Sequence, residues 1–265
     1  MSRLAIIGCE SCGKTVFTSS VADFFSVGNT AHSCCLVPDD ADTHDFAERT
    51  NHRLRVRRDW PEPTPHDKPQ LLKWSVRIDG ADVSKLEMLE FGGRLFRTAF
   101  QNGPTAETPQ PEVAWLLDAL AKSDFIVVAI SLRDLMRDRP SAQAAAESEA
   151  ERAQGSKIRW LTNKALDFVC YQLPKDKGVA IALTQADAYQ EELKACGDPA
   201  ELFRRRWPSV AALYPDVPVL AVSAVGLLLA AFGLWLSVVL AWLWLGKAVL
   251  PLGRRLCRKK EVPQS

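Results

Sequence analysis

The chain has 265 residues, 33 Lys and Arg against 32 Asp and Glu, and a formal net charge of +1. At 47% hydrophobic and 25% charged it has a globular average, which excludes a disordered chain, a collagen and a many-span membrane protein. Without a basic surplus, broad electrostatic binding to nucleic acid is excluded too, so no nucleic-acid partner is expected. The seven cysteines are odd in number and are not spaced as a disulfide framework. Ser2 and Arg3 run straight into Leu4, Ala5, Ile6 and Ile7, which reads as a strand rather than a signal segment, so a reducing cytosol is the expected compartment.

Residues 4–7 form a short apolar run of the kind that makes a buried parallel strand. Next come Gly8, Cys9, Glu10, Ser11, Cys12, Gly13, Lys14 and Thr15, which fit the phosphate-binding pattern Gly, four residues, Gly-Lys-Ser/Thr. The glycines let the backbone curl until its N–H groups point inward at phosphate oxygens. Lys14 is expected to reach the β- and γ-phosphates, and the Thr15 hydroxyl to ligate Mg²⁺. Residues 15–25 carry Val16, Phe17, Val21, Phe24 and Phe25 at helical spacing, and that helix would turn its positive end toward the anion. Cys9 and Cys12 form a Cys-x-x-Cys pair, but they occupy variable loop positions and read as small filler rather than a metal or redox site.

Four later features divide the nucleotide classes. A Pro-rich loop, residues 61–66, precedes two strand-like runs at 71–78 and 83–90, joined by a hairpin turn at Asp79, Gly80, Ala81 and Asp82. Thr64 in that loop is the candidate to complete a Mg²⁺ shell and sense the γ-phosphate. The second run ends in Glu90, Phe91, Gly92 and Gly93, where a GTPase has Asp-x-x-Gly: the acid holds Mg²⁺ through water and the glycine N–H meets the γ-phosphate. Glu90 keeps the charge and adds a methylene.

The strand expected at 178–183 leads into Thr184, Gln185, Ala186 and Asp187, in place of Asn/Thr-Lys-x-Asp. Asp187 is placed to accept from the guanine N1–H and amine, a pairing adenine cannot supply. Gln185 can still lay its stem on the ring. The strand expected at 217–222 leads into Ser223 and Ala224, a turn whose backbone N–H meets guanine O6. Both base-reading segments end consecutive strands, where ligands sit in parallel α/β sheets.

In order and placement these residues resemble the Ras-like, translation-factor-related (TRAFAC) class of P-loop GTPases, and most of all the bacterial double-GTPase type of domain. The resemblance spans residues 1–225. It implies a three-layer α/β sandwich whose mostly parallel sheet has one antiparallel edge hairpin at 71–91. It implies GTP and Mg²⁺ as ligands, with Gly8, Glu10, Ser11, Cys12, Gly13, Lys14, Thr15, Gly93, Thr184, Gln185, Asp187, Ser223 and Ala224 around the nucleotide. Thr15, Thr64 and Glu90 would face the metal, and Lys14, Thr64 and Arg94 the reacting phosphate. Arg94 follows the glycine where a glutamine commonly orients the attacking water. An arginine cannot take a proton from that water, so hydrolysis is expected to be slow and an effector or activating protein is implied. Two other readings stay open: a P-loop ATPase or nucleotide kinase, and a degenerate GTPase-like domain serving as a membrane-bound interaction module.

Between the strands expected at 124–131 and 178–183 lies an Ala/Glu-rich stretch, 143–154, reading as a helix or a mobile loop. After it, residues 158–173 place Trp160, Leu161, Ala165, Leu166, Val169 and Leu173 on one core-facing side. Residues 191–207 read as helical, broken at Gly197, Asp198 and Pro199, with Arg204, Arg205 and Arg206 as a solvated run.

Residues 217–246 contain no charge, and 226–246 are apolar on every helical face, long enough at about 20 residues to cross a bilayer. Trp242 and Trp244 followed by Lys247, Arg254, Arg255, Arg258, Lys259 and Lys260 read as an interfacial belt and basic flank. A second segment, 226–265, is therefore expected to be an apolar helix that anchors the chain in membrane lipid. The nucleotide and the basic tail both call for the cytoplasmic face (of the inner membrane, in a bacterium), which a single span cannot satisfy: either the anchor is re-entrant or shallow, or the orientation rule fails for a tail inserted after translation.

Overall fold

The computed structural model describes residues 2–25, 34–53, 69–101, 110–137 and 149–223. All of them belong to one unit, Met1–Ala224. Thr64, Ala224 and the apolar run 226–246 lie outside the described residues. Among the described residues no helix is long and apolar enough to cross a membrane.

The strands are β1 (Ser2–Ile7), β2 (Cys34–Pro38), β3 (Gln70–Ile78), β4 (Ala81–Glu90), β5 (Phe125–Ser131), β6 (Gly178–Thr184) and β7 (Val219–Ala221). They form one sheet in the order β2-β3-β4-β1-β5-β6-β7. β1 pairs parallel with β4 and β5, and β5, β6 and β7 continue in parallel. β3 alone is reversed, pairing antiparallel with both β2 and β4. Asp79 and Gly80 join β3 to β4 with φ of 51° and 79°, the two positive values that a two-residue turn matching strand twist requires.

The sheet is mostly parallel, as expected, but the hairpin is not at its edge. β2 closes that side, with Leu36 opposite Val76. Its Leu36 N–H is taken by the Phe25 carbonyl at 2.6 Å. Five residues ending in proline carry little strand signal, and Pro38 suits an outer strand because it has no N–H to donate. Asp40 then accepts from the Thr43 N–H at 2.9 Å and caps the next helix.

Helices cover both faces. α1 (Lys14–Phe24) and α2 (Ala41–Asn51) touch each other and the β1–β4 side of the sheet. The opposite face carries α3 (Gly93–Gln101), α4 (Pro111–Ala121), α5 (Leu132–Arg137), α6 (Glu149–Asp167), α8 (Pro199–Arg206) and α9 (Pro208–Leu213). α7 (Gln190–Cys196) packs beside α8. On that second face Ala5, Ile7, Val128 and Ile181 meet Phe96, Phe100, Leu116, Leu166 and Phe203 in one apolar cluster. Ile6, between Ala5 and Ile7, is 2% exposed and points to the first face, as period-two alternation requires.

α6 runs on into a π-helical turn, Phe168–Gln172. Leu161, Ala165, Leu166, Val169 and Leu173 are buried as expected, but Trp160 is 43% exposed. It precedes Leu161 by one residue and is turned about 100° from it around the helix axis. The break expected near residue 197 is present: Gly197 ends α7 with φ 72° and the Asp198 side chain caps α8. The last strand is shorter than the apolar run suggests, three residues.

Candidate functional site

The loop between β1 and α1 lies where the parallel strands end. Ser11 and Gly13 take positive φ, 58° and 82°, and Gly13 caps α1. The Lys14 ammonium is buried and donates to the carbonyls of Gly8 and Cys9, both at 2.9 Å. It also lies 5.9 Å from the centre of the Phe91 ring. With the Cys12 sulfur at 3.8 Å, the lysine is held over the loop by four neighbours, none of them a carboxylate.

The Thr15 hydroxyl donates to Glu90 Oε1 at 2.6 Å, and Glu90 is only 2% exposed. The end of β4 therefore delivers the expected acid to the expected hydroxyl, and the extra methylene of Glu90 lets it reach Thr15 directly. A hydroxyl and one buried carboxylate are hard oxygen donors. They fit an ion such as Mg²⁺, which takes one or two protein ligands and completes its shell with phosphate and water. Among the described residues no group of three or more His, Cys, Asp or Glu side chains could hold a metal ion by itself.

Gly93 opens α3 directly against the loop. A Cβ there would come within 2.6 Å of the Cys9 carbonyl carbon and closer still to the Glu10 backbone, so only glycine permits this approach. Four residues on, Arg97 Nη2 reaches Glu10 Oε1 at 2.9 Å. Arg94 is exposed, and its backbone carbonyl accepts from the Thr98 hydroxyl at 3.0 Å.

Of the two segments expected to read a base, the one that ends β6 comes to the loop. The Thr184 hydroxyl donates to the Cys12 carbonyl at 2.6 Å, linking residues 172 positions apart. Gln185, at φ 62°, donates through Nε2 to the Ser11 carbonyl at 3.3 Å and accepts from the Ser131 hydroxyl at 2.8 Å. Asp187 is half-buried and accepts from the buried Ser223 hydroxyl at 3.0 Å. The ends of β4 and β6 therefore reach residues 8–15 directly, and the ends of β5 and β7 join them through Gln185 and Asp187.

Burial pushes the Cys9 thiol up to about 12, with neighbouring Cys12 adding to the rise. Burial also raises the Cys12 thiol, against the pull of Lys14. Both stay protonated at neutral pH, which suits loop filler and not a thiolate centre. Asp134 on α5 is 8% exposed, and burial raises its carboxyl pKa against the opposing charges of Arg137 and Arg133.

Two participants, Ser131 and Arg97, and the nearby buried acid Asp134 carry no motif signal. Ser131 could have been found as the polar last residue of a buried parallel strand. Arg97 and Asp134 sit in charged helix positions that read as solvated faces, and no spacing rule marks them. Neither family models nor curated proteins of known function give a match to this chain.

Proposed function

We propose that this protein binds GTP with Mg²⁺ and hydrolyses it slowly, acting as a molecular switch at the cytoplasmic face of a membrane. The observation that carries the reading is the convergence on the phosphate loop: Thr184 and Gln185 are bonded to its backbone, and Asp187 stands beside Ser223. A ligand with both an anionic tail and a purine edge would use all of these groups together.

In this reading the loop N–H groups and Lys14 bind the phosphates. Thr15 and Glu90 hold Mg²⁺, which when bound offsets phosphate charge and orients the tail. Asp187 accepts from the guanine edge, and the Gln185 stem covers the ring. Glu90 is held within a hydrogen bond of Thr15 and is spoken for. Arg94 cannot accept a proton, so neither group activates water quickly. Residues 226–265 would attach the domain to lipid, and an effector or activating protein would read α3 and the loop around Thr64.

The competing reading is a degenerate domain that binds no nucleotide. It is favoured by Glu10, an acid in a loop that should attract anions. The deciding experiment titrates the full-length chain with fluorescent GTP and ATP, with and without Mg²⁺, beside Asp187→Asn and Lys14→Ala. GTP is expected to win over ATP. Asp187→Asn should weaken GTP by about 100-fold and favour the xanthine nucleotide, whose 2-oxo group pairs with a carboxamide. Equal competition by ATP rejects guanine specificity, and phosphate release lost in Lys14→Ala rejects the degenerate reading.

A further inference from the structure

The phosphate loop has two differently held ends. Ser11 and Cys12 are tied by their carbonyls to Gln185 and Thr184, which marks the base side. At the opposite end the backbone of Cys9 and Glu10 is met by Gly93. A phosphate tail running away from the base therefore ends near Glu10. Arg97 lies one helical turn past Gly93, on the same side of α3, and its guanidinium bonds the Glu10 carboxylate. Both side chains are partly open to solvent, 41% for Arg97 and 43% for Glu10.

A carboxylate at the terminal-phosphate end repels the ligand the loop is built to hold. The paired arginine cancels that repulsion, and it is the only cation the described structure bonds to Glu10. An ion pair this exposed is weak, so exchanging its anion costs little. A terminal phosphate carries more charge than a carboxylate and offers arginine two oxygens in fork geometry.

Resting on the nucleotide reading above, we infer that Glu10 and Arg97 form a charge latch that tells GTP from GDP. With a diphosphate, whose tail stops short, Arg97 stays on Glu10. With a triphosphate, Arg97 turns from Glu10 to the γ-phosphate and carries the state of the nucleotide into α3. Arg97, not Arg94, is then the residue through which this helix reads the ligand. Glu10 sets the threshold by competing for it.

The test measures GTP and GDP affinities of the full-length chain in Mg²⁺ for wild type, Glu10→Gln, Arg97→Ala, Arg97→Lys, the Glu10→Gln/Arg97→Ala double variant and Lys14→Ala. Arg97→Ala should lower the preference for GTP over GDP about tenfold, and Arg97→Lys, which keeps the charge and loses the fork, should fall between the two. Glu10→Gln should raise the preference about threefold, and the gain should be smaller in the Arg97→Ala background, where only relief of charge repulsion is left and no ion pair has to open. The latch is overturned if Arg97→Ala weakens both nucleotides by one factor, or if Glu10→Gln gains as much without Arg97 as with it. Loss of GTP in Lys14→Ala alongside either result overturns the latch alone; full GTP affinity in Lys14→Ala overturns the nucleotide reading with it.

Discussion

On one side of β1, strands β5 and β6 are parallel to it and buried along almost their whole length. On the other, β3 is reversed and buried mainly in its middle, at Trp74, Ser75 and Val76, and β4 is polarised, its first five residues exposed and its last five buried. The parallel half feeds the site from several strand ends at once, through Ser131, Thr184 and Ser223. The antiparallel half feeds it through a single point, the stretch from Glu90 to Gly93, while its turn at Asp79 and Gly80 projects into solvent. Precise placement of many groups thus comes from the half with no exposed face. The one connection expected to change with the nucleotide comes from the half with slack.

The sharpest way to break this contrast is at Gly93. Gly93→Ala puts a methyl against the Cys9 and Glu10 backbone, neither of which can step aside as a side chain would. We expect a loss of about 3 kcal/mol in chemical denaturation, together with loss of GTP binding. Restored binding with normal stability would mean that α3 does not seat on the loop.

A paired comparison within the strands comes next. Val128 in β5 is 0% exposed and Val83 in β4 is 53% exposed. Val128→Ala should cost about 2 kcal/mol of unfolding free energy. Val83→Ala should stay within about 0.5 kcal/mol. Similar losses at the two sites would erase the distinction between the halves.

The smallest effect is at Asp134, on the helix that follows β5. Burial raises its carboxyl pKa above the ordinary 3.8. In the pH window between that value and the folded-state one, the folded chain binds more protons than the unfolded chain, so stability falls as pH rises. Above the window the full penalty remains. Asp134→Asn should therefore raise the melting temperature at pH 8 and change it little near pH 3. The gain should be smaller than the Val128→Ala loss. A drop at pH 8 would show that the contact with Arg137, 3.5 Å away, outweighs desolvation.

Those halves also differ in how far they can be read from residues alone. β1, β5 and β6 announce themselves as unbroken apolar runs, and the turn at Gly80 as a pair that tolerates positive φ. The loop at residues 8–15 is legible because the phosphate-binding pattern it fits requires glycines and a lysine at fixed spacing. Thr184, Asp187 and Ser223 were legible as strand ends. β2 was not, since Cys34 to Pro38 shows no alternation and gains its identity only by pairing with β3. Trp160 was misplaced because one residue of offset moves a side chain off a helix face. Arg97 was invisible for a different reason: its role depends on where Gly93 lands, a tertiary fact that no local pattern carries. Thr64 and Ala224 lie where the structure describes nothing.

The 2.6 Å bond from Thr184 to Cys12 has a consequence for biosynthesis. A ribosome adding 5–20 residues each second needs roughly 10–30 s to travel from one partner to the other. Throughout that interval the emerging Gly-rich segment lacks the strap that shapes its base-side end. If the loop binds nucleotide as proposed, its base-side end takes the binding shape only once β6 has left the tunnel, so the ligand cannot guide the first folding steps.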